Sequence, residues 1–193
     1  ADLMDRAIRE GPIVNIDETT VQVLQEPGRA DTQKSYMWVF RGGDPERPVL
    51  RYQYHPTRAG SVPLAYLAGF KGYIQTDGYN GYDGLGRKPG IVMVGCWAHA
   101  RRKFHEVLQA AAPQVAQRKL AAEDALEFIG RLYRIEKEAR VKELSVPVLY
   151  ELRQQQAQPV LEEFKRWLEE KAPLTPPGGL LGKAIGYTLN QWS

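Results

Sequence analysis

The chain has 193 residues and a mass of 21.8 kDa, with 43% hydrophobic and 25% charged residues, which are ordinary globular proportions; they exclude a largely disordered chain, a collagen-like one and a tiny stapled fold. Lys and Arg outnumber Asp and Glu by 26 to 23, a balance that permits nucleic-acid binding without requiring it. No apolar run approaches the roughly 18 residues of a membrane span, the first residues lack the basic-then-apolar order of an export signal, and the single cysteine, Cys96, rules out an internal disulfide and a four-cysteine zinc site, so a reducing cytoplasm is expected.

Ile13 to Leu24 is rich in β-branched residues with partial alternation, which predicts a strand ended by Glu26-Pro27-Gly28. Tyr36 to Phe40, stopping at Gly42-Gly43, and Val49 to Tyr54, stopping at His55-Pro56, predict two more, and the short connections predict an antiparallel meander. Leu64, Leu67 and Ala68 recur at helical spacing between Ser61 and Phe70. Gly72 to Thr76 then returns to strand character just before Asp77, and Ile91 to Val94 is another short strand. From Cys96 onward Trp97, Ala100, Phe104, Val107 and Leu108 mark an amphipathic helix. Three strands followed by alternating helices and strands imply a mixed sheet. Long helical patterns follow at Gln117 to Leu144 and Val148 to Glu170, with Pro147 and Pro159 at boundaries or first turns. Pro173 to Gly179 is a loop, and Leu181, Ile185, Thr188 and Trp192 line a last helix, after which the chain stops as a truncated domain would.

Asp17 in the first strand and Asp77 at the end of a later one are the candidate chemistry. Two carboxylates at ~4 Å repel by about 4 kcal/mol at an effective dielectric of ~20, so such a pair calls for a proton or a cation. Magnesium favours carboxylate and phosphate oxygens and would recruit a phosphodiester as well. The competing reading of Asp77-Gly78 is a turn. Cys96 and His99 have C-x-x-H spacing, yet with no second cysteine pair a buried thiol and a bonded histidine outweigh zinc. Arg101, Arg102 and Lys103 form a basic run, read either as a solvated helix face or as a DNA phosphate contact. Tyr73, Tyr79 and Tyr82 crowd Asp77; core packing is their default role and stacking on an unpaired base the alternative.

The segments IDETTVQVL (Ile16 to Leu24), YMWVF (Tyr36 to Phe40), AYLAGFKGYIQTDGYNGYDGL (Ala65 to Leu85), CWAHARRKFHE (Cys96 to Glu106) and LLGKAIGYTLNQW (Leu180 to Trp192) resemble the catalytic domain of insertion sequence 66 transposases. The resemblance spans nearly the whole chain. It implies a DDE transposase: an α/β, RNase H-like mixed sheet flanked by helices, with a C-terminal helical insertion, the sheet presenting acids that hold two Mg²⁺ or Mn²⁺ ions. Asp17 would be the first catalytic acid and metal ligand, Asp77 the second, and His99 a neighbour of the metal site or of a DNA phosphate. The family's third acid, a glutamate, lies downstream of the NQW segment, so the sequence is expected to be a catalytic fragment, inactive alone. Glu18 is a poor substitute because successive strand residues point to opposite faces, and Glu123, Asp124 and Glu127 read as a charged helix face rather than as ligands. The implied division is a core at 1–112, a helical insertion at 113–177 and a returning helix at 178–193. The implied activity is DNA cleavage and strand transfer in the transposition of an insertion sequence, with transposon-end and target DNA and the element's other transposition proteins as partners. Homo-oligomerisation is left open, no membrane is expected, and the location is the cytoplasm, at the nucleoid. An RNase H-like nuclease and a non-catalytic DNA-binding or assembly module are the rivals.

Overall fold

The computed structural model describes residues 2–111 and 120–192. Within them the chain forms two compact units, 1–96 and 97–193. The predicted boundary at 112 and 113, and the 117–119 start of the predicted long helix, lie outside the described residues.

The first unit opens with helix α1 (Asp2–Glu10), then strands β1 (Ile13–Gln22), β2 (Lys34–Asp44) and β3 (Arg47–His55), helix α2 (Ser61–Tyr66), β4 (Gly72–Gln75), a single 3-10 turn (Asn80–Tyr82) leading into α3 (Asp83–Gly86), and β5 (Ile91–Val94). The five strands make one mixed sheet in the order β3-β2-β1-β4-β5. The pairs β1–β2 and β2–β3 are antiparallel, whereas β1–β4 and β4–β5 are parallel. Parallel neighbours need a crossover, and the α2 and α3 segments supply one each. Alternation along β1 sends Val14 and Ile16 into a core with Trp38, Phe40, Ile74, Leu67, Phe70, Tyr82 and Leu85, and turns Asn15 and Asp17 to the other face.

Two features of this unit differ from the sequence reading. Helix α1 was not anticipated: Leu3, Met4, Ala7 and Ile8 do recur at helical spacing, but only Ile8 is buried, and charges dominate the rest. Gly42 and Gly43 do not end β2, which runs through both and reverses after Asp44, whose Oδ1 accepts the Glu46 N–H at 2.9 Å. The glycines serve close packing, since a Cβ on Gly42 would stand 3.0 Å from the Ile8 carbonyl oxygen of α1.

The second unit is helical: α4 (Trp97–Ala110), α5 (Ala121–Val141), α6 (Val146–Leu152), a π-helical turn (Arg153–Ala157), α7 (Gln158–Lys171), a 3-10 turn (Ala172–Leu174) and α8 (Leu180–Asn190). Its centre is Phe164, fully buried and ringed by Phe128 at 5.0 Å, Trp192 at 5.7 Å, Trp97 at 6.0 Å and Phe104 at 6.4 Å between ring centres. Buried alanines at 100, 122, 125 and 184 let α4, α5 and α8 approach one another. The predicted single helix at Val148 to Glu170 is interrupted by the π turn. Pro159, in the first turn of α7, lacks an N–H and its ring crowds the carbonyl four residues back, so the backbone widens there instead of continuing as an α-helix. No described helix is long and apolar enough to cross a membrane.

Candidate functional site

The parallel register of the two central strands pairs Ile13 with Tyr73, Val14 with Ile74 and Asn15 with Gln75. Two residues beyond the last pair, on each strand's path, stand Asp17 and Asp77. An amide row leads up to them: Arg41 Nη1 donates to Asn15 Oδ1 at 3.2 Å, Asn15 Nδ2 to Gln75 Oε1 at 2.6 Å, and Gln75 Nε2 to the Gly95 carbonyl at 3.2 Å. This row ties β2, β1, β4 and the end of β5 together just before the acids. Asp17 is exposed, and its Oδ1 accepts the Glu18 N–H at 2.9 Å. Asp77 also performs the turn role read from sequence: its Oδ1 accepts the Tyr79 N–H at 2.9 Å, and Gly78 takes a φ of +76°.

Glu18, one residue on from Asp17, points into the core side of the sheet, where its side chain is only 1% exposed. Its carboxylate is held by the Tyr82 hydroxyl and by Arg58, whose Nε donates to it at 2.5 Å and whose Nη2 also pairs with it. The same Nη2 stands 3.7 Å from Asp77 Oδ2, and the guanidinium carbon lies 3.7 Å from the centre of the Tyr79 ring. Arg58 thus joins an acid of β1 to the acid after β4. Burial works against its charge, but the hydrogen bond and charge of Glu18, with Asp77 and Tyr79 adding, hold its pKa above the ordinary value. For Tyr82, burial first, then the Glu18 hydrogen bond and the charges of Glu18, Asp77 and Asp17, push the phenol well above its usual range. Asp17 and Asp77 therefore both act on one hydroxyl.

Sequence reasoning missed Arg58 altogether, because it lies in a loop with no pattern. The loop is placed by two contacts: Trp38 Nε1 donates to the Thr57 carbonyl at 3.4 Å, and Gly60 lies so close to Gly81 that a Cβ on Gly60 would run into the Gly81 carbonyl oxygen. The spacing P-T-R-A-G before a short helix was the only local signal, and it reads as a turn.

The tyrosines divide. Tyr82 is buried in the core, Tyr79 packs edge-on against it at 5.9 Å beneath Arg58, and Tyr73 is 52% exposed. In the second unit, Arg101 and Arg102 are exposed on α4, His99 is half-buried, and Lys103 Nζ lies 4.7 Å above the Tyr187 ring of α8. Glu123 accepts the Leu120 N–H at 2.7 Å and caps the start of α5, while Asp124 and Glu127 line a cleft with Phe128, Arg131, Glu163 and Trp167. Cys96 is a half-buried free thiol. Among the described residues no group of three or more His, Cys, Asp or Glu side chains is placed to hold a metal ion.

The chain is 32% identical to an uncharacterized protein, y4qI, of Sinorhizobium fredii (strain NBRC 101917 / NGR234) over 99% of its own length and 36% of the relative's. A second uncharacterized protein of that organism, y4jD, is 32% identical over 96% of this chain and 37% of the relative. The chain therefore spans a little over a third of the length of these relatives. No solved structure matches it. The family model described as "Transposase IS66 family" matches residues 1–193 throughout, and with relatives of this identity aligned along almost the whole chain, the protein belongs to the insertion sequence 66 family of transposases.

Proposed function

We propose that this chain is part of the catalytic domain of a DDE transposase, built on an RNase H-like core, and that Asp17 and Asp77 are its first two catalytic acids. The reading keeps the division into a core at 1–112, a helical insertion at 113–177 and a returning helix at 178–193. The observation that supports it is the parallel register of β1 and β4 in a sheet ordered 3-2-1-4-5: Asn15 pairs with Gln75, and Asp17 of β1 and Asp77, just past the end of β4, each follow that pair by two residues. Carboxylate side chains are hard oxygen donors, and two of them suit one hydrated Mg²⁺ or Mn²⁺, which keeps several of its waters. A second ion needs the third acid, which the family reading puts outside these 193 residues.

When bound, the metal would supply Lewis-acid stabilisation of phosphoryl oxygens and an activated water. The chain's own residues contribute position and charge. Asp17 and Asp77 would hold the cation that draws in the DNA phosphate, and the amide row of Asn15 and Gln75 fixes the spacing of β1 and β4 just before them. Arg101 and Arg102 on α4, with Lys103 and His99, would contact the DNA backbone. No side chain acts as a covalent nucleophile: water would attack the phosphodiester at the transposon end, leaving a 3′-OH and a 5′-phosphate, and that 3′-OH would then attack a target phosphodiester and displace the target strand's 3′ oxygen as a new 3′-OH.

The test uses the full-length protein on labelled transposon-end DNA with Mg²⁺ or Mn²⁺. Asp17→Asn and Asp77→Asn should each lower cleavage and joining at least 100-fold, the cost of losing one electrostatic stabiliser, while leaving DNA binding in place. Cleavage without joining by the unmodified protein would favour a nuclease. Unimpaired cleavage by either variant would remove that acid from the site.

A further inference from the structure

Arg58 is the unexplained group beside the acids. It is one side chain serving two carboxylates, one on β1 and one just past the end of β4, and the two contacts are unequal. Toward Glu18 it presents two nitrogens, one at 2.5 Å, against a carboxylate whose side chain is 1% exposed. Toward Asp77 its Nη2 stands at 3.7 Å, and the Asp77 side chain is 25% exposed. The first contact is a charge-assisted, two-nitrogen grip in a place where losing the partner would strand a buried charge. The second is a looser ion pair near water, of the kind that contributes little. Tyr79 beneath the guanidinium and the Gly60–Gly81 approach hold the loop, so the guanidinium stays near Asp77 whether or not that pair is made.

We propose that Arg58 is the resident counter-cation of the acidic site, anchored by Glu18 and yielding Asp77 to a divalent cation. This rests on the reading that Asp17 and Asp77 bind metal. A doubly charged ion at Asp77 would sit close to a guanidinium that Glu18 holds in place and that keeps its proton, and a double charge there meets twice the repulsion that a single one would. Arg58 therefore weakens cation binding by the bare protein. A DNA phosphate brings the negative charge that offsets it, so ion and DNA favour each other's binding, and by linkage the preference is reciprocal.

The experiment titrates Mn²⁺ into the 193-residue chain by calorimetry without DNA, and follows thermal unfolding of each variant in EDTA. Arg58→Gln is expected to bind Mn²⁺ at least tenfold more tightly than the unmodified chain and to unfold at a lower temperature, because Glu18 is left buried without its cation. The double variant Glu18→Gln/Arg58→Gln removes both charges, so it should regain most of the thermal stability and keep the tighter Mn²⁺ binding; it carries the test should the single variant not fold. Arg58→Lys keeps the charge and should bind Mn²⁺ as weakly as the unmodified chain. Equal or weaker Mn²⁺ binding by the folded glutamine variants would overturn the proposal and make Arg58 a support for the ligands. Asp77→Asn separates the two readings: if it abolishes Mn²⁺ binding while the Arg58 variants change nothing, only the counter-cation fails, and if it leaves Mn²⁺ binding unaltered, the metal site itself fails and the counter-cation with it.

Discussion

Asp17 and Glu18 are successive residues of one strand and meet opposite surroundings, because the strand period of two sends one to each face of the sheet. Asp17 is exposed beside the amide row, while Glu18 enters the core side and needs two partners, Arg58 and Tyr82, to be tolerated there. Tyr82 carries a measurable consequence. An unfolded chain's tyrosines lose their protons near the ordinary value of 10.0, whereas Tyr82, raised by burial and by the Glu18 hydrogen bond, keeps its proton. Its contribution is fully present below that pH. Above it the native state binds more protons than the unfolded state, so stability falls as pH rises, by about 1.4 kcal/mol per pH unit for one such group. Tyr66, raised by burial and by its bond to Asp5, acts in the same direction. In urea unfolding between about pH 10 and 11, Tyr82→Phe should therefore lose less stability than the unmodified chain by about 1 kcal/mol, the difference approaching about 1.4 kcal/mol per pH unit at higher pH. At neutral pH the variant should be about 1–3 kcal/mol less stable, since Glu18 loses a donor. An unchanged alkaline slope would show that Tyr82 ionises like an exposed tyrosine.

At the scale of elements, helix α4 separates a basic run that looks uniform in the sequence. Arg101 and Arg102 are exposed, but Lys103 lies over the Tyr187 ring, where its stem covers apolar surface and its charge faces an aromatic ring. If the run contacts phosphates, the two arginines carry most of the effect. Arg101→Ala/Arg102→Ala should reduce the slope of log affinity for duplex DNA against log salt by about two units, and adding Lys103→Ala should change it little further. Filter binding or fluorescence anisotropy from 50 to 200 mM salt measures this, and an unaltered slope would return both arginines to a solvated face. Strand β2 and helices α6 and α7 illustrate the same point about context. Glycines that look like a stop serve close packing against α1, and a proline at a helix start widens one turn without ending the helical path.

For the whole molecule, the chain's share of its relatives bears on activity. It covers 36% of one and 37% of another. On the reading proposed above, the third acid stands outside this share, and two aspartates can gather one cation without positioning a second. The isolated 193-residue chain should then cleave transposon-end DNA at least 100-fold more slowly than the full-length protein with Mg²⁺ or Mn²⁺, a loss of about 2.7–4 kcal/mol or more in transition-state stabilisation. A time course with both proteins and an Asp77→Asn control checks it. Cleavage by the short chain at a comparable rate would mean that a residue within it supplies the third ligand, and Glu123, Asp124 and Glu127 would be the first to replace.

The sequence by itself determined the kinds and order of the main elements from β1 to α8, apart from the short α3 and the break between α6 and α7, the mixed character of the sheet, and the positions of Asp17 on a strand and Asp77 at the end of another. Those features follow from local pattern: β-branched runs, apolar residues at helical spacing, and an Asp-Gly turn. It also carried the family, through motifs spread along nearly the whole length. Only the tertiary structure decided that Glu18 is buried, that Tyr82 and Arg58 hold it, and that Arg58 reaches Asp77. These depend on a loop drawn against a turn by the meeting of Gly60 and Gly81, a contact between residues with no pattern of their own. Strand and helix periods report which side of an element faces the core, but the path of a loop is set by what it packs against, and that becomes visible only when the strands are in register.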